Sequence, residues 1–187
     1  MILIPFPVAQ STGIADARFR LQAMVMQDQE VRKHWIAEDK AGKKDEALIA
    51  EMHRIDREDT AEMKRIVDQF GWPTITAFGK EGAFDAWLIV QHADQDPRFQ
   101  ERCLTLMAAL LPRKEVDSEN YAYLADRVSV KKTGRQLYGT QCKIVNGKVI
   151  LDPVIDPRRL DRRRKAMGMM PIQQYLKLVG DMYLPRR

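Results

Sequence analysis

Four residues, Gly71-Trp72-Pro73-Thr74, limit the folding of this chain more than any others. Glycine accepts the backbone conformation that closes a helix, and a proline shortly after it bars another turn. The helical segment before them, from about Glu46 to Phe70, therefore has to end there. Within it, Asp59 reads as the cap of a fresh start with Glu62 at the capping-box position, so an interruption near 56–59 is expected. Upstream, Phe19, Met24, Val31 and Trp35, with Leu21 and Val25 close by, have helical spacing over Asp16 to Trp35. Asp28 and Arg32 form an i, i+4 pair on that helix, which as a rule is a solvated rung worth a few tenths of a kcal/mol.

Downstream, Phe78 to Gly82 reads as a loop, and an apolar run follows to Ala93. Asp94-Gln95-Asp96-Pro97 opens another helix, with Phe99, Cys103, Leu106, Met107 and Leu110 as its core face. Asp117 or Ser118 caps the next, Glu119 to about Val130. Past Gly134 the period changes, and Asn146-Gly147 between β-branched runs is a strong hairpin signal. Asp156-Pro157 starts a basic helix through Ala166, and Ile172 to Met182 forms a last one. The expected fold is mainly α: a single-domain helical bundle over 16–187 with a C-terminal β-hairpin at about 136–152. Its core gathers Trp72, Trp87, Leu88, Val90, Leu106, Leu110 and Leu124.

With 187 residues, 45% hydrophobic and 30% charged, the chain has material for one full core. The net charge of +5 is concentrated in Arg158-Arg159 and Arg162 to Lys165. Such a run is usually a solvated face, and no aromatic-interleaved or zinc-finger pattern supports nucleic-acid binding. The two cysteines, Cys103 and Cys142, form no CxxC, so neither a zinc site nor a disulfide framework is signalled. Residues 1–15 read as an arm or the remnant of a secretory signal, which leaves the compartment open between cytoplasm and periplasm or secretion. No stretch approaches the roughly 20 apolar residues of a membrane span.

The chemistry concentrates at Trp87-Leu88-Ile89-Val90-Gln91-His92-Ala93-Asp94, where an apolar run delivers an amide, an imidazole and a carboxylate. On a helix, Trp87, Gln91 and Asp94 share one stripe, and Leu88 and His92 the stripe beside it. His92 then stands where buried meets wet, suited to proton transfer. The plainer alternative is a core histidine bonded to a backbone carbonyl.

Asp28-Gln29 with Arg32, Gly71-Trp72-Pro73, Gln91-His92-Ala93-Asp94, Tyr121 to Arg127, Gln136 to Gln141 and Arg163-Arg164 with Gly168 together resemble a bacterial domain family of unknown function. The likeness spans about Arg20 to Leu176, and many members of the family look secreted or periplasmic. The resemblance implies no reaction. It does imply a polar pocket, because the signature is rich in side chains that a core does not require.

Two functions fit. In the first, an enzyme performs acid–base chemistry of hydrolase or lyase type on a small polar or anionic ligand, without a redox cofactor. His92, Asp126 and Tyr138 are its catalytic residues, with Asp94 or Asp126 orienting the imidazole. Gln91, Asp94, Arg127, Gln136 and Gln141 bind substrate. A divalent metal on His92, Asp94 and Asp126 is a lesser variant, and Cys142 as a nucleophile is a poor one. In the second, the same pocket belongs to a non-catalytic ligand- or peptide-binding module whose basic C-terminal patch meets an acidic partner.

Overall fold

The computed structural model describes residues 8–183, with side chains from residue 13 onward. Helix α1 runs Val8–Lys40 and α2 runs Glu46–Phe70. Of the expected arm, 8–15 is therefore helix, and 1–7 lies outside the described residues.

The inward stripe of α1 is Ala17, Leu21, Met24, Asp28 and Val31. Phe19 is 71% exposed and Trp35 36% exposed, so the stripe is displaced from the one the large apolar residues suggest. Small Ala17 and polar Asp28 take the inner positions, which a search for bulky hydrophobes passes over.

The second helix is unbroken through 56–59, contrary to the expected interruption. Its cap is Asp45, whose carboxylate accepts from the N–H of Leu48 at 3.0 Å. Asp56 and Asp59 are buried in mid-helix, and α2 ends at Gly71, where φ is 73°.

Helix α3 (Ile75–His92) is capped by Thr74 and bent at Gly79, whose φ of 74° and ψ of 169° are not helical. The expected 78–82 loop thus shrinks to one residue. Helix α4 (Pro97–Leu110) is capped by Asp96, with Pro97 in its first turn. Asp117 caps α5 (Ser118–Thr133), which closes at Gly134.

The α3 helix packs against α1, α2, α4 and α5, so it is the central rod. Its own Phe78, Ile89 and Val90 meet Leu21, Met63, Ile66, Met107 and Leu124 in the core. Of the expected core, Trp72, Val90 and Leu124 are buried, while Trp87, Leu106 and Leu110 pack at its edge and Leu88 is half-buried.

Strands β1 (Cys142–Val145) and β2 (Lys148–Leu151) pair antiparallel, with Val145 opposite Lys148. Asn146 and Gly147 both take positive φ, 50° and 69°, as a tight two-residue hairpin requires. Helices α6 (Leu160–Ala166) and α7 (Ile172–Tyr183) close a second, smaller core of Leu160, Ile172, Tyr175 and Val179.

The basic run is not one solvated face. Arg164 is 1% exposed, and its guanidinium donates to the carbonyls of Tyr138 and Met170, both at 2.6 Å. Arg163 donates to the carbonyls of Leu137 and Ile155. Among the described residues no helix is long and apolar enough to cross a membrane.

Candidate functional site

Three helices bring polar and ionisable groups together at the last residue of α3. Asp28, Gln29 and Arg32 come from α1, Asp56 and Asp59 from α2, and His92 from α3. Asp28 is 1% exposed, which removes it from the class of solvated rungs. It accepts from Gln29 Nε2 at 2.7 Å and from Arg32 Nε at 2.8 Å. His92 Nδ1 lies 2.9 and 3.0 Å from its two oxygens.

Arg32 Nε, which only donates, also lies 3.0 Å from Nδ1, but it has the Asp28 carboxylate closer at 2.8 Å. With two acceptor oxygens against Nδ1, that nitrogen carries the proton and donates to Asp28. The opposite tautomer would set a nitrogen lone pair against two carboxylate oxygens. Nε2 is then the unprotonated nitrogen of the neutral ring, and it has no hydrogen-bond partner among the described residues.

Burial raises the Asp28 carboxyl, but its hydrogen bond from His92, the positive charge of the ring in its imidazolium form and the charge of Arg32 outweigh that and hold it below the usual range. Arg32 also pairs with Asp56, while its remaining terminal nitrogen meets only the Met52 sulfur, at 3.3 Å. Asp56 is raised, chiefly by burial. Asp59 is pushed up to about 7 by burial and by repulsion from Asp28, Asp56 and Glu58, and one of its oxygens is buried without a partner.

This proton has a consequence for stability. Between the ordinary carboxyl value of 3.8 and about 7, the folded protein keeps a proton on Asp59 that the unfolded chain has released. Stability therefore falls as pH rises through that window. Asp56 acts in the same direction, and Asp28 opposes only below 3.8. Urea unfolding of Asp59→Asn should show a flatter pH profile, with the variant overtaking the parent above pH 7 by on the order of a few kcal/mol. A parallel pair of profiles would refute this assignment.

The other expected site residues go elsewhere. Asp94 does not orient His92; it pairs with Arg127 at 2.8 Å on a largely exposed surface. Asp126, fully buried, accepts from the N–H groups of Leu137, Tyr138 and Thr140 at 2.7–3.1 Å, and from the Thr140 hydroxyl. Gln136 donates to the carbonyls of Gln141 and Asp152 and accepts from the Gln141 N–H, each at 2.8 Å. Gln141 Nε2 turns to the Thr140 hydroxyl. Tyr138 lies within this clamped loop, its phenol raised by burial and by Tyr121 and Asp126.

The expected convergence thus divides into two places: an ionic cluster at His92, and a loop clamp built on Asp126, Gln136 and Arg164. Gln91 is buried beside the first, its side-chain oxygen unpartnered. The His92, Asp94 and Asp126 metal set is dispersed, and among the described residues no group of three or more His, Cys, Asp or Glu is arranged to hold an ion. Burial raises the Cys142 thiol, and Asp152 adds to it, which disfavours a thiolate there.

The sequence alone does not mark Asp28 and Arg32 as partners of His92, nor Asp56 and Asp59 as members of the same cluster. The available signal was spacing: Asp56 and Asp59 lie in register with Ile55, Met63 and Ile66, on the buried side of α2. Gln100 was missed as well. Fully buried, it donates to the carbonyls of Val90 and Gln91, tying off the end of α3 where His92 stands.

A cleft of about 790 Å³ opens along α3, lined in part by Gln29, Trp72, Lys80, Phe84, Trp87 and Tyr123. Gln29 is shared, since it both lines the cleft and donates to Asp28. Comparison with curated proteins and with solved structures gave no match. The model of a family of unknown function, DUF6624, matches residues 15–186, and the chain belongs to that family.

Proposed function

We propose that the protein is an enzyme that moves a proton at His92 Nε2, in a hydrolysis or an elimination of lyase type on a small polar or anionic molecule. The observation that supports this reading is the Asp28–His92 contact at 2.9 Å, with Nε2 left without a partner among the described residues. Asp28 fixes the tautomer and pairs with the imidazolium formed when Nε2 takes a proton. Arg32 Nε and one terminal nitrogen hold Asp28 and Asp56 in place, and the nitrogen with only a thioether neighbour is a donor for an anionic group of the substrate. A core histidine bonded to a backbone carbonyl fits less well, because its neighbours here are two ionic side chains.

The test is turnover of a panel of small esters, amides and hydroxy acids by the parent protein, His92→Gln and Asp28→Asn. Both substitutions should lower kcat/KM by about 10²–10⁴-fold with the helical content intact. Full activity in His92→Gln would sink the proposal. The reading as a ligand-binding module has one observation in its favour: the 790 Å³ cleft is not lined by His92. In that case His92→Gln leaves ligand affinity unchanged, and no member of the panel is turned over.

A further inference from the structure

The cleft along α3 carries more chemistry than a gap between helices requires. Its walls are aromatic: Phe84 and Trp87 lie with ring centroids 5.2 Å apart, and Trp87 meets Tyr123 edge-on at 6.1 Å. A volume of about 790 Å³ falls in the range of small-molecule sites. Two charged groups in this lining have no protein partner among the described residues. Lys80, exposed at the cleft's mouth, and Glu119, half-buried, enter no ion pair or side-chain hydrogen bond among the described residues, so both charges are free to meet a ligand.

Opposite charges thus stand unpaired in one aromatic-walled cleft, Lys80 from α3 just past the Gly79 bend and Glu119 from the first turn of α5. We infer that the cleft binds a small zwitterion with a flat apolar body, of the aromatic amino-acid type, its carboxylate on Lys80 and its ammonium on Glu119. The rings of Phe84, Trp87 and Tyr123 take the apolar body. A ligand with one charge would leave the other charged side chain of the cleft unanswered. A purely apolar one would desolvate both charges without return. Burial and the neighbouring Asp117 push the Glu119 carboxyl up, the state a bound ammonium would relieve.

This inference stands apart from the chemistry at His92, since neither Lys80 nor Glu119 touches the ionic cluster. Binding of L-phenylalanine, phenethylamine and 3-phenylpropanoate to the full chain can be read from the fluorescence of Trp72 and Trp87 and by calorimetry. L-Phenylalanine should bind at least about tenfold more tightly than either singly charged analogue. Lys80→Met should erase its advantage over phenethylamine, and Glu119→Gln its advantage over 3-phenylpropanoate. Thermal unfolding checks that both variants are folded, and since neither side chain is paired, both should melt with the parent. His92→Gln should bind L-phenylalanine as the parent does, which separates this result from a failure of the proton-transfer proposal. Equal affinities for all three ligands, indifference to both substitutions, or no binding of L-phenylalanine at up to about 10 mM would each overturn the inference.

Discussion

Replacing Arg32 with methionine should destabilise the protein by about 3–5 kcal/mol at neutral pH, the cost of removing one partner from a buried ionic group. Arg32 donates to Asp28 and Asp56 at once, and these residues are 1% and 9% exposed. Methionine keeps the length of the side chain and removes both bonds. Three carboxyl groups, Asp28, Asp56 and Asp59, are then left with His92 as the one cation-forming neighbour in the cluster.

The deficit should shrink as pH falls from about 8 towards 5, because Asp56 and Asp59 already bind protons more readily than ordinary carboxyls, and a proton can stand in for the missing cation. Lysine at this position should recover only part of the loss. A single ammonium cannot reproduce a planar fork directed at two acceptors. Urea unfolding at several pH values measures all of this. A methionine variant within 1 kcal/mol of the parent, at every pH, would mean that the cluster is solvated rather than buried.

The second large effect is expected at Asp126. Its two oxygens gather the N–H groups of Leu137, Tyr138 and Thr140, together with the Thr140 hydroxyl, in a site closed to solvent. Asparagine has the same shape but offers one acceptor, and turns an amide N–H₂ towards groups that are themselves donors. With at least one backbone N–H left unsatisfied, the loss should be about 2–4 kcal/mol. It should also be local: amide exchange should accelerate first at Leu137, Tyr138 and Thr140, ahead of the α2 and α3 amides. Uniform acceleration across the chain would instead make the clamp part of the global folding unit. Arg164 holds the same loop from the other side through the Tyr138 carbonyl. Damage at Asp126 should therefore spread to α6 before it reaches α1.

The helix boundaries were legible because they are written in short-range chemistry. Gly71, Asp96-Pro97, Asp117, Gly134 and Asn146-Gly147 act on their own backbone within a turn or two, and each does in the structure what its residue type favours. The position of His92 at a helix end, at the margin of the core, follows from the same local reasoning. Side-chain partnership was not legible. Asp28 and His92 are 64 residues apart, and Arg32 and Asp56 are 24 apart. The sequence places carboxylates nearer to His92, at Asp94 and Asp96, which turn to Arg127 and Lys64 instead.

Asp28 reads as a surface residue and Asp59 as a cap because each stands in a charged local context. Only the packing of α1 and α2 against the end of α3 turns both inward. The polar signature of Asp126 and Gln136 misleads for a related reason. Burying such groups does demand partners, as inferred, but an irregular loop supplies them from its own backbone. What the sequence by itself determined about this protein is where its helices start and stop, the hairpin and the presence of costly polar residues, since those depend on neighbours along the chain. Which carboxylate meets His92, which arginines turn inward, and where unpaired Lys80 and Glu119 share a cleft was decided by the tertiary structure alone, because burial and pairing depend on neighbours in space.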